Sequence, residues 1–241
     1  MCFTVNVNLI KEELENRYGA TLIDPDKYRP SYYYHAFGLP KIPAICSTEP
    51  DKIKLLQWGL IPSWTRSIED AGEIRYKTFN ARSESIDKKP SFSSSVRSKR
   101  CIIPVKGFFE WQHTPAGKIP WYIYHHENEI LSIAGVFDDW IESKTGEKFS
   151  TFSIVTADAN DLMAEIHNSK KRMPVILDGR SEAIWTKQSS SLNDVLQLLG
   201  PCPAEILKAH TVSPLINDRG ADRNTPKVVE QYSYNTGNLL F

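Results

Sequence analysis

The chain has 241 residues, 41% hydrophobic and 24% charged, which is enough for one domain with a real core. No run approaches the roughly 20 apolar residues of a membrane span, the first residues lack the basic flank and apolar core of a signal peptide, and four cysteines (Cys2, Cys46, Cys101, Cys202) without a CxxC pair suit neither a disulfide scaffold nor structural zinc. A reducing cytoplasm is therefore expected. The 29 basic and 29 acidic side chains cancel, but unevenly: residues 75–106 hold nine Lys/Arg against two acids, and residues 107–167 hold three against ten. One basic segment on one face suffices to hold a nucleic-acid backbone; the alternative is a fold that mixes the two signs.

Residues 1–7 alternate with period two, Phe3, Val5 and Val7 facing one way and Cys2, Thr4 and Asn6 the other, as in a half-buried strand. Residues 10–18 read as a short helix that Gly19 stops. The Tyr- and Pro-rich stretch 28–43 reads as an irregular surface segment, 53–58 as a strand, and 59–62 as a turn out of it. Residues 63–100 are polar, basic and serine-rich, which predicts loops and short helices. Strands follow at 101–105, 107–111, 120–125, 130–137 and 149–156, several of them separated by Gly and Pro. A helix from Asp158 or Ala159, with Asp158 as its expected cap, ends near His167; then come a strand at 173–177, helices near 180–186 and 191–199, and a strand near 209–212. The last thirty residues are polar and rich in Pro, Gly and Asn, partly disordered or wrapped on the surface. Strands dominate the middle without a βαβ rhythm, so the expected fold is α+β, a single domain with a curved, barrel-like mixed sheet and peripheral short helices.

Position makes Cys2 the most informative residue. Initiator methionine is trimmed when residue two is small, which leaves an α-amine and a thiol on one residue. Their ordinary pKa values, about 7.7–8.0 and about 8.5, give both a reactive fraction near neutrality. The amine can form a Schiff base with an aldehyde, and the thiol two carbons away can close a five-membered thiazolidine with intramolecular advantage. The plainer alternative is a small hydrophobe in the core.

Glu110 lies between aromatics in Gly107-Phe108-Phe109-Glu110-Trp111. It is either an exposed strand residue or a semi-buried carboxyl with a raised pKa and a proton to move. His167, at a helix end beside basic residues, is either structural or an acid–base group. Arg172 has the fork geometry for a phosphate. Asn80-Ala81-Arg82-Ser83-Glu84 gathers groups that grip a substrate or cap a helix with Asn80 as N-cap. Trp58 and Trp64 bracket Gly-Leu-Ile-Pro and suit either base stacking or the core. HExxH, a phosphate-cradling glycine loop and G-x-S-x-G are all missing, so neither a metal nor a cofactor is expected.

Taken together, these segments resemble the SRAP (SOS response-associated peptidase) family. The resemblance is carried by Met1-Cys2, Trp58-Gly59-Leu60-Ile61-Pro62 with Trp64, and Phe79-Asn80-Ala81-Arg82-Ser83-Glu84. It continues through Arg100-Cys101-Ile102-Ile103-Pro104, Gly107 to Trp111, Ala134-Gly135-Val136-Phe137-Asp138, His167 with Arg172-Met173-Pro174-Val175, and Val212-Ser213-Pro214. It spans residues 1–225 as one domain and leaves 226–241 as a polar C-terminal tail.

The resemblance implies a covalent shield of abasic sites in single-stranded DNA, acting in the DNA-damage (SOS) response. Cys2 would form a thiazolidine with the ring-opened sugar, Asn80 would orient sugar and cysteine, Glu110 would move protons at the amine, and His167 would assist ring opening and lyase-like reversal. Arg82 and Arg172 would clamp the DNA backbone, Lys77 and Lys170 would add phosphate contacts, and Trp58 and Trp64 would divert or stack on the strand. The implied partner is single-stranded DNA with an abasic site, extending to 3′ junctions, in a nucleoid-associated cytoplasmic protein with no membrane, no metal and no oligomer. Phe3-Thr4 departs from the family's glycine and arginine after the cysteine. Two other activities stay open at this point: an N-terminal-nucleophile peptidase engaged mainly in self-processing, and a non-covalent single-strand binder.

Overall fold

A computed structural model describes residues 2–234; Met1 and residues 235–241 lie outside the described residues. In chain order the first half runs β1 (Thr4–Val7), α1 (Lys11–Tyr18), β2 (Thr21–Leu22), β3 (Ser31–His35), β4 (Lys41–Cys46), β5 (Lys52–Trp58), α2 (Ile68–Arg75), β6 (Asn80–Arg82) and α3 (Ser93–Ser98). Four long strands follow: β7 (Arg100–Val105), β8 (Gly107–Thr114), β9 (Gly117–His125) and β10 (Leu131–Ile141). The chain continues through β11 (Lys148–Asp158), α4 (Asp161–Ile166), β12 (Arg172–Pro174), β13 (Ile176–Leu177), α5 (Gly179–Thr186), α6 (Leu192–Gln197) and β14 (Leu207–Thr211).

The strands form two sheets. One has the order β14-β9-β8-β1-β3; in the other β5-β4-β7-β10-β11 closes on itself through a parallel contact of β11 with β5. This is an α+β fold with a closed five-stranded mixed barrel and short helices around it. The element types expected at 10–18, 53–58, 101–156 and 180–199 are present, and Gly19 does stop α1 at φ 61, its N–H donating to Glu15 O. Residues beyond 225 are packed as far as they are described: Val228 is buried with Val212 and Ile216, and the Tyr234 hydroxyl donates to Val212 O.

Four expectations need correction. β1, the strand between β3 and β8 in its sheet, is buried on both faces because each face has its own packing partners. Val5 and Val7 enter the main core, whereas Asn6 on the other face donates to the Tyr122 hydroxyl at 2.9 Å. Cys2 precedes the strand and is buried in the same main core as Val5 and Val7.

The stretch read as irregular contains β3 and β4. β3 is an edge strand, so its tyrosines stay half exposed, and Pro43 stands where β4 is paired to β5 but not yet to β7, so its missing N–H interrupts no ladder. Asn80 does not cap a helix; it opens β6, parallel to β11. Asp158 does not cap α4 either, since Asn160 accepts from Met163 N while Asp158 ends β11 opposite Arg172.

The basic segment is not one surface. Arg100 is fully buried, its guanidinium donating to the carbonyls of Val96, Arg97, Trp185 and Lys187. Lys99 pairs with Asp138, so the fold mixes the signs of the two charged stretches at that position, and Lys106 pairs with Glu13 of α1.

Gly107 joins the two chemically important strands by its lack of a side chain. It pairs with Asn6 of β1, and a Cβ there would meet Ile123 O at 2.5 Å and the Tyr122 ring at 2.6 Å. Those atoms are backbone and a packed ring, which cannot yield cheaply. Gly107→Ala is expected to destabilise the protein by about 1–3 kcal/mol or more, read as a lowered urea midpoint at unchanged slope.

Candidate active site at the N-terminal strand

Glu110 sits in β8 with only 3% of its surface exposed. Burial disfavours its charge and pushes its pKa up to about 7. His167 follows the last turn of α4 as its C-cap, and its Nε2 comes to 3.8 Å from Glu110 Oε2. Its Nδ1 lies 2.8 Å from the Arg172 carbonyl, which can only accept, so Nδ1 carries the proton in the neutral ring. The longer approach of the Arg172 N–H to the same nitrogen, 3.4 Å, is secondary. Burial also holds the His167 pKa below its ordinary value, which favours this neutral form with the Nε2 lone pair turned toward Glu110.

Cys2 is buried beside this pair. Burial, together with the neighbouring Glu110 charge, pushes its thiol pKa well up, so the sulfur is held as thiol and not as a resting thiolate.

Asn80 is positioned by the residue before it. Phe79 O accepts from Trp58 Nε1 at 2.9 Å and from Ile154 N at 3.1 Å, which pins the start of β6 to the barrel. The Phe79 ring meets Phe3 edge-on at 6.2 Å, bringing the residue after Cys2 against the residue before Asn80. Both polar atoms of the Asn80 amide are shielded from solvent and lack a hydrogen-bond partner among the described residues. A folded chain rarely leaves both ends of an amide so, and the arrangement suits a polar ligand.

The residues expected to hold DNA separate into two groups. Arg82 and Lys170 are exposed, and exposed Lys77 has Glu73 at 3.6 Å. Trp64 is 55% exposed and shares with Lys77 a cleft of about 740 Å³. Trp58, by contrast, is a core residue: fully buried and stacked on Phe152 at 5.8 Å, it has no face for a base. The phosphate clamp expected of Arg172 is likewise corrected. Its buried guanidinium binds Glu84 at 2.9 Å, Asp158 at 2.8 Å and Thr156 O at 2.7 Å, fastening β12 and β11 to the turn after β6 and holding the backbone that orients His167.

Asp138 is a residue whose part was not foreseen. Buried in β10, it accepts from Ser63 N at 2.7 Å and from Lys99, and so anchors the loop that presents Trp64. The signal in the sequence is an acid directly after the apolar run Ala134-Gly135-Val136-Phe137. Among the described residues no group of three or more His, Cys, Asp or Glu is placed to hold a metal, and no helix is long and apolar enough to cross a membrane.

Fold and site together define a closed-barrel protein whose second residue, a thiol, is set against a buried carboxyl–imidazole pair. The family model for SOS response associated peptidase (SRAP) matches residues 1–219, and the chain belongs to that family. Abasic site processing protein YoqW of Bacillus subtilis (strain 168) is 37% identical over 184 residues, covering 76% of this chain and 78% of that protein. Abasic site processing protein HMCES of Gallus gallus is 34% identical over 184 residues, 67% of this chain and 53% of its own length. A crystal structure of a protein from Bacteroides thetaiotaomicron superposes with a TM-score of 0.90 at 38% identity, covering 96% of this chain and all of that one.

Proposed function

We propose that this protein, once Met1 is removed, captures abasic sites in single-stranded DNA as a covalent thiazolidine at Cys2. The observation that carries this reading is the burial of Glu110 and His167 as a pair 3.8 Å apart beside the Cys2 thiol; the unpartnered Asn80 amide follows Phe79, whose ring meets that of Phe3, the residue after Cys2. The names of the relatives, abasic site processing proteins, support the substrate.

The Cys2 amine attacks C1′ of the open-chain sugar. The aldehyde oxygen leaves as water after gaining two protons, and an iminium remains. A carboxyl near pKa 7 can both take the ammonium proton and return one to the departing oxygen. Neutral His167, with Nε2 as acceptor, assists opening of the sugar ring. The thiol then adds across the C=N bond, carbon–sulfur bond formation quenches the iminium, and the sulfur's proton ends on the ring nitrogen or Glu110. Reversal runs the same steps backward through the same groups: the C–S bond breaks to give back the iminium, water adds to its carbon, and the amine leaves to restore the aldehyde; a lyase-like outcome arises where the iminium eliminates instead. Asn80 orients the sugar, and Arg82, Lys77, Lys170 and Trp64 hold the strand.

Methionine-free protein incubated with a single-stranded oligonucleotide bearing one abasic site is expected to give a heat-stable shifted band on a denaturing gel. Native binding without such a band would replace this reading with the non-covalent one, and cleavage of peptides without DNA would favour an N-terminal peptidase.

A further inference from the structure

Two large aromatics next to the site are about half exposed, Phe37 at 54% and Tyr76 at 49%. They belong to a run of near-parallel rings. Tyr33 stacks on His35 (centroids 5.9 Å, 21° between planes), His35 on Phe37 (5.4 Å, 29°), and Phe37 on Tyr76 (6.5 Å, 29°). Beneath this run, Phe37 packs on Phe3 at 5.6 Å and on Phe79 at 5.0 Å, and Tyr76 meets Phe79 at 5.8 Å. Phe3 follows Cys2 and Phe79 precedes Asn80, so the ladder begins at the reactive residues themselves.

Guanidinium groups mark both ends. Arg223 lies 4.3 Å over the Tyr33 ring and donates to its hydroxyl at 2.8 Å. Arg75, the residue before Tyr76, has Nε and Nη2 shielded from solvent without a hydrogen-bond partner among the described residues. A cluster that served only the core would bury Phe37 and Tyr76 as it buries Phe79. The half-exposed Phe37 and Tyr76, at the open end of a run that carries Arg223 at its other end, match a strand of bases and phosphates, since every base offers a face to stack and the backbone supplies the anion.

We infer that the Tyr33–His35–Phe37–Tyr76 ladder is a stacking platform for the nucleobases on one side of the abasic nucleotide, Phe37 and Tyr76 taking the base nearest the gap. The inference rests on the proposed capture for its occupant, single-stranded DNA. An abasic nucleotide has no base to stack, so its neighbour has lost a partner that the platform replaces. The protein would thus recognise a missing base through the base beside it.

Binding can be separated from capture with fluorescent single-stranded DNA carrying a tetrahydrofuran abasic analogue, which has no aldehyde. Phe37→Ala combined with Tyr76→Ala is expected to weaken binding roughly tenfold or more, measured at a temperature where circular dichroism shows the variant still folded, while Phe37→Trp keeps wild-type affinity. Deleting the flanking bases on one side of the analogue is expected to weaken wild-type binding and leave the double variant unaffected; deletion on the other side weakens both.

Wild-type affinity in the double variant, or a loss that persists when both flanks lack bases, overturns the platform. So does wild-type self-association that the double variant abolishes. If the platform fails while wild-type protein still crosslinks a true abasic site, the capture reading stands. If wild-type protein never crosslinks but ladder-dependent binding holds, the capture reading falls and the platform stands.

Discussion

Replacing Cys2 with alanine is expected to remove the heat-stable adduct on abasic single-stranded DNA altogether and to leave strand breaks in its place. The alanine variant keeps the terminal amine, so the imine with the sugar aldehyde still forms. Without sulfur the iminium has no internal trap, and its acidified neighbouring C–H opens the way to β-elimination. Cys2→Ser places a weaker nucleophile at the same distance, and its ring closure is both slower and less durable, so it should show a faint, heat-labile band with some cleavage. An added N-terminal tag should stop both routes, because the amine becomes an amide. A 5′-labelled oligonucleotide on a denaturing gel resolves intact strand, adduct and cleaved product in one lane. Undiminished adduct in the alanine variant would overturn the proposed chemistry. The buried thiol makes the order of events specific: with its pKa pushed up, sulfur cannot lead the attack as thiolate, and the amine must create the electrophile first.

The parts of this site that could be read from the sequence are those whose chemistry depends on chain position or on neighbours in sequence. Cys2 declares itself by being second, Glu110 by standing between aromatics, and His167 by ending a helix before a basic run. The long middle strands are legible too, because Gly and Pro punctuate apolar runs of strand length.

What stayed hidden depends on long-range pairing. Trp58 looks like a ligand-facing aromatic until β5 closes the barrel against β11 and turns it onto Phe152. Arg172 looks like a free fork until Glu84 and Asp158 arrive from separate strands and their turns. β6 is three residues long and exists only because β11 offers it a parallel edge, so nothing local distinguished it from a helix cap. The aromatic ladder is assembled from β3, the turn after it and the residue that caps α2, with no motif in any one of them.

Glu110→Gln is expected to slow adduct formation by about 10²- to 10⁴-fold and, at the same time, to stabilise the fold at alkaline pH. Both effects come from the same burial. In the unfolded chain the carboxyl ionises near its ordinary 4.5, whereas in the folded chain it holds its proton to about 7. Below the lower value both states are protonated and the carboxyl's full contribution to stability is present. As pH rises between the two, the unfolded state loses its proton first and stability falls. Above about 7 both are ionised and the deficit is constant, up to about 3 kcal/mol for the interval between those values. Glutamine has no charge to bury, so urea midpoints of variant and wild type should agree near pH 4 and diverge in favour of the variant by pH 8. The adduct rate of the wild type should climb with pH through about 7 as the carboxylate forms, and the variant should keep only the later rise that belongs to the amine. A midpoint difference independent of pH would show that Glu110 titrates as an ordinary surface acid, and the proton-transfer role would go with it. A variant that is more stable and nearly inactive is what a charge held in the wrong medium for the sake of chemistry requires.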